Sequence, residues 1–114
     1  MSRQMVVTER LDRAAVALEL ERGDVARLLG ANPRTVARWL RHEVEPRAEA
    51  RERLLEVIPA LERLAGTLRP AAAHDWLFTP NPDLDHEKPV ELLRRGEYRR
   101  VLGAIDALAE GVFV

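Results

Sequence analysis

The twenty residues RGDVARLLGANPRTVARWLR, Arg22 to Arg41, restrict the fold more than any other stretch of the chain. Two short segments with helical apolar spacing flank Gly-Ala-Asn-Pro. Gly30 tolerates the positive φ that a tight turn between helices needs. Asn32 can cap the segment that follows, and Pro33 suits its first helical position. Two short helices crossing steeply need a small residue where they meet, which Ala26 supplies. They also need inward apolar side chains, here Val25, Leu28 and Leu29, then Val36, Trp39 and Leu40. Trp39 reads as a core residue, since large aromatics dominate small cores. This is the pattern of a helix-turn-helix. The outward face of its second helix carries Arg34, Arg38 and Arg41, and from Arg22 to Arg41 five arginines stand against one aspartate.

The rest of the chain also reads as helix, with no sustained period-2 alternation, so the fold class is all-α. TERLDRAAVALELERG predicts a first helix with Thr8 as its N-cap and Gly23 as its stop. Asp24 then caps the second helix, which ends at Gly30, and the third runs to about His42. Pro46 opens a long fourth segment, with Ala50, Leu54, Val57, Leu61, Leu64 and Leu68 recurring every three or four residues. Pro59 should kink or divide it. Beyond Pro70 come a short helix, AAAHDWLF, and a proline-rich loop, TPNPDLDHEKP. A helix from Pro89 is closed by Gly96, and a last helix should stop at Gly111.

Charge is unevenly shared. Residues 1–69 hold 13 basic and 11 acidic side chains, net +2, whereas residues 70–114 hold 5 and 8, net −3. Different partners for the two halves follow naturally. Of the 18 basic residues 17 are Arg, as expected for a GC-rich genome, so an isolated arginine says little. The chain has no cysteine. That excludes a disulfide framework, a thiol nucleophile and a cysteine zinc site. No apolar run approaches the roughly 20 residues of a membrane span, and MSRQMVVTER carries no signal-peptide h-region. A cytoplasmic location without membrane contact is the expectation.

The Arg22–Arg41 segment resembles the lambda-repressor-like (Xre-type) helix-turn-helix domains. In that resemblance the third helix enters the major groove of operator DNA. Arg34 and Arg38 would read bases, Arg27 and Arg41 would meet phosphates, and Asn32 sits at the start of the reading helix. The second half, HDWLFTPNPDLDHEKPVELLRRGEYRRVLGAIDALAEGV, is similar to the toxin-binding domain of Xre/MbcA/ParS-type antitoxins, MbcA-like ones in particular. The matching residues include Trp76-Leu77, Pro80-Asn81, Leu84, Pro89, Leu92, Gly96, Val101, Ile105, Leu108 and Gly111-Val112. Asp85-His86 departs from the small residues common in that loop and leaves its conformation open. The resemblance implies a DNA-binding and dimerisation region over residues 1–69 and a toxin-binding domain over 70–114. It also implies a RES-domain, NAD-degrading toxin as partner, operator DNA, and a homodimer within a larger hetero-oligomer. A plain helix-turn-helix regulator whose second half only dimerises, and a toxin binder that no longer binds DNA, remain alternatives.

Nothing in the chain asks for catalysis, and no cofactor is expected. His74, Asp75, Asp83, Asp85, His86 and Glu87 crowd one loop, but not at metal-ligand spacing. Glu91 and Glu97 have nothing nearby in sequence to desolvate them as an acid/base pair. The NAD chemistry would belong to the toxin, so no NAD site is expected here. The end of the sequence, Gly111-Val112-Phe113-Val114, is apolar where termini are usually polar. It can fold back over the last helix as a cap. Alternatively it enters a cleft of the toxin, with the Val114 carboxylate facing arginines. Trp76 and residues 111–114 are therefore the candidate toxin contacts.

Overall fold

The computed structural model of the chain describes residues 3–112. Among them are seven α-helices: α1 Arg3–Ala17, α2 Arg22–Leu29, α3 Pro33–Leu40, α4 Ala48–Ala65, α5 Pro70–Phe78, α6 Pro89–Arg94 and α7 Tyr98–Val112. A 3₁₀ turn spans Pro82–Leu84, and one isolated antiparallel bridge joins Asn81 to Glu87. The all-α class expected from the sequence is what forms.

The ends of the helices follow a common rule. α1 stops because Glu19 turns left-handed, at φ 54°, and Leu20 N–H reaches back to Ala15 O at 2.8 Å. Gly30 does the same for α2, at φ 63°, with Ala31 N–H on Ala26 O at 2.9 Å. His42 ends α3 at φ 60° and Gly96 ends α6 at φ 85°, with the matching bonds Glu43 N–H to Arg38 O and Glu97 N–H to Leu92 O, both 2.9 Å. Each is a Schellman-type stop that satisfies otherwise orphaned carbonyls.

Several boundaries differ from the expectation. Thr8 does not cap α1; it lies inside the helix and is only 2 % exposed. Gly23 stops nothing and sits in the first turn of α2. Glu21 is the N-cap of α2, and Asp24 stabilises it from within the first turn, its carboxylate accepting Glu21 N–H at 3.0 Å. That is the return half of a capping box. α3 ends at Leu40, with Arg41 as its C-cap, two residues short of His42. α4 begins at Ala48, and Pro59 does not divide it. Gly111 does not stop α7, which continues to Val112, since glycine permits a left-handed residue without imposing one. The caps at Asn32, with Pro33 following, and the start of α6 at Pro89 are as read from the sequence.

One core joins the two halves. α1 packs along α4, α2 packs on both α3 and α6, and α4 also receives α7. Leu11, Leu18, Leu28, Val36, Leu54 and Ile58 share a single buried cluster with Leu77, Leu92, Leu93, Val101 and Ile105. The inward register of the helix pair holds: Val25, Leu28, Leu29, Val36 and Trp39 are buried, while Leu40 is partly covered. The left-handed pair Asp85 and His86, at φ 57° and 65°, shows why small residues suit that loop. Aspartate and histidine are among the few side chains that tolerate this region. Asn81 builds the loop around them. Its backbone carbonyl accepts His86 N–H at 2.9 Å, and its side-chain oxygen accepts Asp83 N–H at 2.9 Å.

Trp39 is 5 % exposed within this core. Trp39→Ala is expected to destabilise the protein by about 3–5 kcal/mol, the usual range for losing a large buried aromatic. Chemical denaturation measures it, and a loss under about 1 kcal/mol would mean that the residue does not support the α2–α3 packing.

Candidate functional site

Two surfaces gather the residues singled out in the sequence. The first lies on α3. Arg34, Arg38 and Arg41 are exposed there. With Arg22 from the start of α2, and with Pro33 and Ala37, they line a shallow concavity of about 510 Å3. Arg22 was counted in the charge of the segment but not assigned a role from sequence, because it is twelve positions before Arg34. Only the return of the chain through the Gly30 turn brings the two together. Asn32 accepts Arg34 N–H on its side-chain oxygen at 2.8 Å, which fixes the start of α3. Glu43 partly offsets the positive face, lying 3.0 Å from Arg41 and 3.7 Å from Arg38.

Arg27 does not line that concavity. Its guanidinium donates to Glu91 on α6, at 2.7 Å, and stands 5.5 Å from the centre of the Phe78 ring. Glu91 also accepts from Arg94 at 3.0 Å. Arg53 on α4 donates to the Arg94 carbonyl at 2.6 Å. Next to the Gly30 turn, then, three arginines and one glutamate hold the first half against the second.

The second surface is a groove of about 750 Å3 between α5, the 3₁₀ turn and α7. Leu68, Trp76, Pro80, Ala104, Leu108 and Gly111 line it. Trp76 and Gly111, 35 positions apart in sequence, thus meet on one surface. Trp76 is partly buried and packs against the core along one side. The side chain of Val112, and all of Phe113 and Val114, lie outside the described residues. Ala104, Leu108 and Gly111 recur at helical spacing and could have been read as a second face of α7; the larger Val101 and Ile105, which face the core, hid that pattern.

Three carboxylates of the second half are held charged by neighbouring arginines. Hydrogen bonds from Arg27 and Arg94 hold Glu91 below the usual carboxylate range. Bonds from Arg95 do the same for Glu87, and bonds from Arg100 and Arg95 for Glu97. A general acid needs the opposite shift. No trio of His, Asp or Glu among the described residues could hold a metal. Among the same residues no helix is long and apolar enough to cross a membrane.

The family profile described as the antitoxin Xre/MbcA/ParS C-terminal toxin-binding domain matches residues 60–111. That span contains every residue that lines the groove. The mycobacterial cidal antitoxin MbcA of Mycobacterium tuberculosis is 42 % identical to the chain, over 96 % of both sequences. The chain belongs to the MbcA-like antitoxins. A probable mycobacterial cidal antitoxin of the same organism is 30 % identical, over 96 % of this chain and 100 % of the relative. The crystal structure of the M. tuberculosis MbcT–MbcA toxin–antitoxin complex contains a chain that superposes with a TM-score of 0.83, at 42 % identity over 96 % of this chain and 98 % of that one. Its family makes the protein a binding protein and not an enzyme.

Because the Glu91 pKa is lowered on folding, its pairing stabilises the protein fully above the unfolded value near 4.3, and that contribution is lost as pH falls through the folded value. Glu91→Gln is expected to cost on the order of 1 kcal/mol at neutral pH, the scale of a partly exposed pair. It should also flatten the acid-side loss of stability below about pH 4. Urea melts at several pH values test this; an unchanged acid slope would remove Glu91 from the joint.

Proposed function

We propose that this chain is the antitoxin of a toxin–antitoxin pair. Residues 70–114 bind a RES-type, NAD-degrading toxin and hold it inactive by stoichiometric binding. Residues 1–69 bind operator DNA and repress the operon. The observation that carries the first part is the groove in which Trp76 and Gly111 meet, within the segment whose family description is toxin binding. The MbcT–MbcA complex supports it, since a chain so similar in fold is crystallised with its toxin. α7 runs past Gly111, which lines the groove, and the apolar Val112, Phe113 and Val114 follow it in sequence. Burying three such side chains releases roughly 5–8 kcal/mol gross, against roughly 3–6 kcal/mol for ordering three residues. The tail therefore works as an obstruction of the toxin active site only when the rest of the domain has already docked.

The DNA reading rests on α2 and α3 as a helix-turn-helix, with Arg34 and Arg38 toward base edges and Asn32 fixing the start of α3. Arg41 and Arg22 flank them as phosphate contacts. Arg27, whose side chain keeps 46 % of its exposure beside Glu91, meets a phosphate with its free edge. Two such heads are needed to span two half-sites, so the acting species is a homodimer within a larger hetero-oligomer.

Two experiments test the two parts. Deleting residues 112–114 is expected to leave folding and DNA binding intact while toxin neutralisation in cells fails; full protection would assign inhibition to the body of the domain. Arg38→Ala should lose about 1–3 kcal/mol of binding to a duplex from its own promoter. It should lose little on random DNA. Equal losses on both duplexes would make Arg38 a phosphate contact, and no loss on either would end the DNA role of α3.

A further inference from the structure

The groove has a chemical character that the toxin-binding reading does not by itself require. Its floor and walls are apolar, with Leu68, Trp76 and Leu108 among the lining residues. Two carboxylates, Asp75 on α5 and Asp83 on the 3₁₀ turn, also line it, and no basic side chain does. Both aspartates are exposed, and neither forms an ion pair among the described residues. Glu87, Glu91, Glu97, Asp85 and Asp106 of the same half do pair with arginines, so the groove is where that half keeps open acidic charge beside an apolar surface. Two acids beside one apolar groove, with no basic residue in its lining, give that surface a negative field that a cation brought by a partner complements.

The α7 wall sets the size of the occupant. Ala104, Ala107 and Gly111 are small and lie along it. From Ala104 to Gly111 the helix advances by about 10 Å, or two turns. Small side chains let a partner backbone come close, while Trp76 offers a large apolar surface of the kind enriched at interfaces. A second copy of this chain is a poor occupant. Docked about a twofold through this groove, it would set the two acidic rims against each other.

We propose that the groove receives an apolar segment of the toxin, about two helical turns long, that carries an arginine or lysine against Asp75 and Asp83. This rests on the toxin-binding reading and adds where the toxin docks and what charge it brings. An aspartate–cation contact closed off from water by apolar neighbours sets register and resists dissociation.

The test is binding of the full chain to the purified toxin of its own operon. Asp75→Asn with Asp83→Asn should weaken the complex about tenfold or more, and the variant complex should depend less on salt than the wild type. Ala107→Trp, at an exposed position on the groove wall, should abolish binding by filling the space. Glu110→Gln, exposed on α7 but outside the groove, should change nothing. Melting temperatures check that each variant is folded. If the wild type does not bind the toxin, the toxin-binding reading itself fails. If it binds and the groove variants bind equally well, the reading stands and this docking site is wrong. If the variants alter self-association but not toxin binding, the groove is a contact between copies of the chain, and the proposal is likewise overturned.

Discussion

Four of the helices cannot stand alone. α2 and α3 have eight residues each, α5 nine and α6 six, and isolated helices shorter than about 12–15 residues are marginal in water. Their stability must come from packing, and the packing is shared. α2 lies between α3 and α6, so the helix that backs the proposed DNA-reading head also backs the proposed toxin-binding half. The buried cluster runs without a break from Leu11 to Ile105. Neither half offers the short helices a complete apolar environment. Some 45 residues beyond position 70, with no disulfide, are close to the lower limit for independent folding. The shared core resolves that difficulty without metal or covalent crosslink.

The polar contacts at this junction refine the same arrangement. Arg27, Arg53 and Arg94 gather around Glu91 and the Arg94 carbonyl beside Gly30. A Cβ at Gly30 would lie 3.4 Å from Arg94 Cγ, in ordinary contact with the second half. It is the positive φ of 63° that favours glycine at this position. The turn that aims α3 is therefore set by residues of the second half as well as by its own sequence.

Much of this was legible in the chain, and the misses share a cause. Where a helix ends on glycine, as at Gly30 and Gly96, the stop could be read directly. Where Glu19 or His42 takes the left-handed position, the sequence carries no such mark, and the expected ends moved to Gly23 and past Leu40. Local propensity lost to tertiary packing: α1 turns where Leu18 becomes buried, not where the next glycine lies. The faces fared similarly. Arg34, Arg38 and Arg41 share one helix and were found by their period, whereas Arg22 joins them only through the fold. Trp76 and Gly111 could be named from family likeness, but the groove that unites them needs α5 and α7 side by side.

The distribution of charge follows from which side chains find partners at home. In the second half Arg94, Arg95 and Arg100 are held by Glu91, Glu87, Glu97 and Asp85, so their positive charge is locally cancelled. What remains unmatched beside the groove is Asp75 and Asp83. On α3 the balance is reversed. Arg22 and Arg34 have no ion pair among the described residues, and the single Glu43 serves both Arg38 and Arg41. Exposed pairs of this kind add little stability. Their larger effect is on the field each face presents to an approaching partner. A sequence with net charge −1 thereby shows a positive face suited to a polyanion and an acidic apolar groove suited to a cationic protein segment, formed by different helices around one shared core.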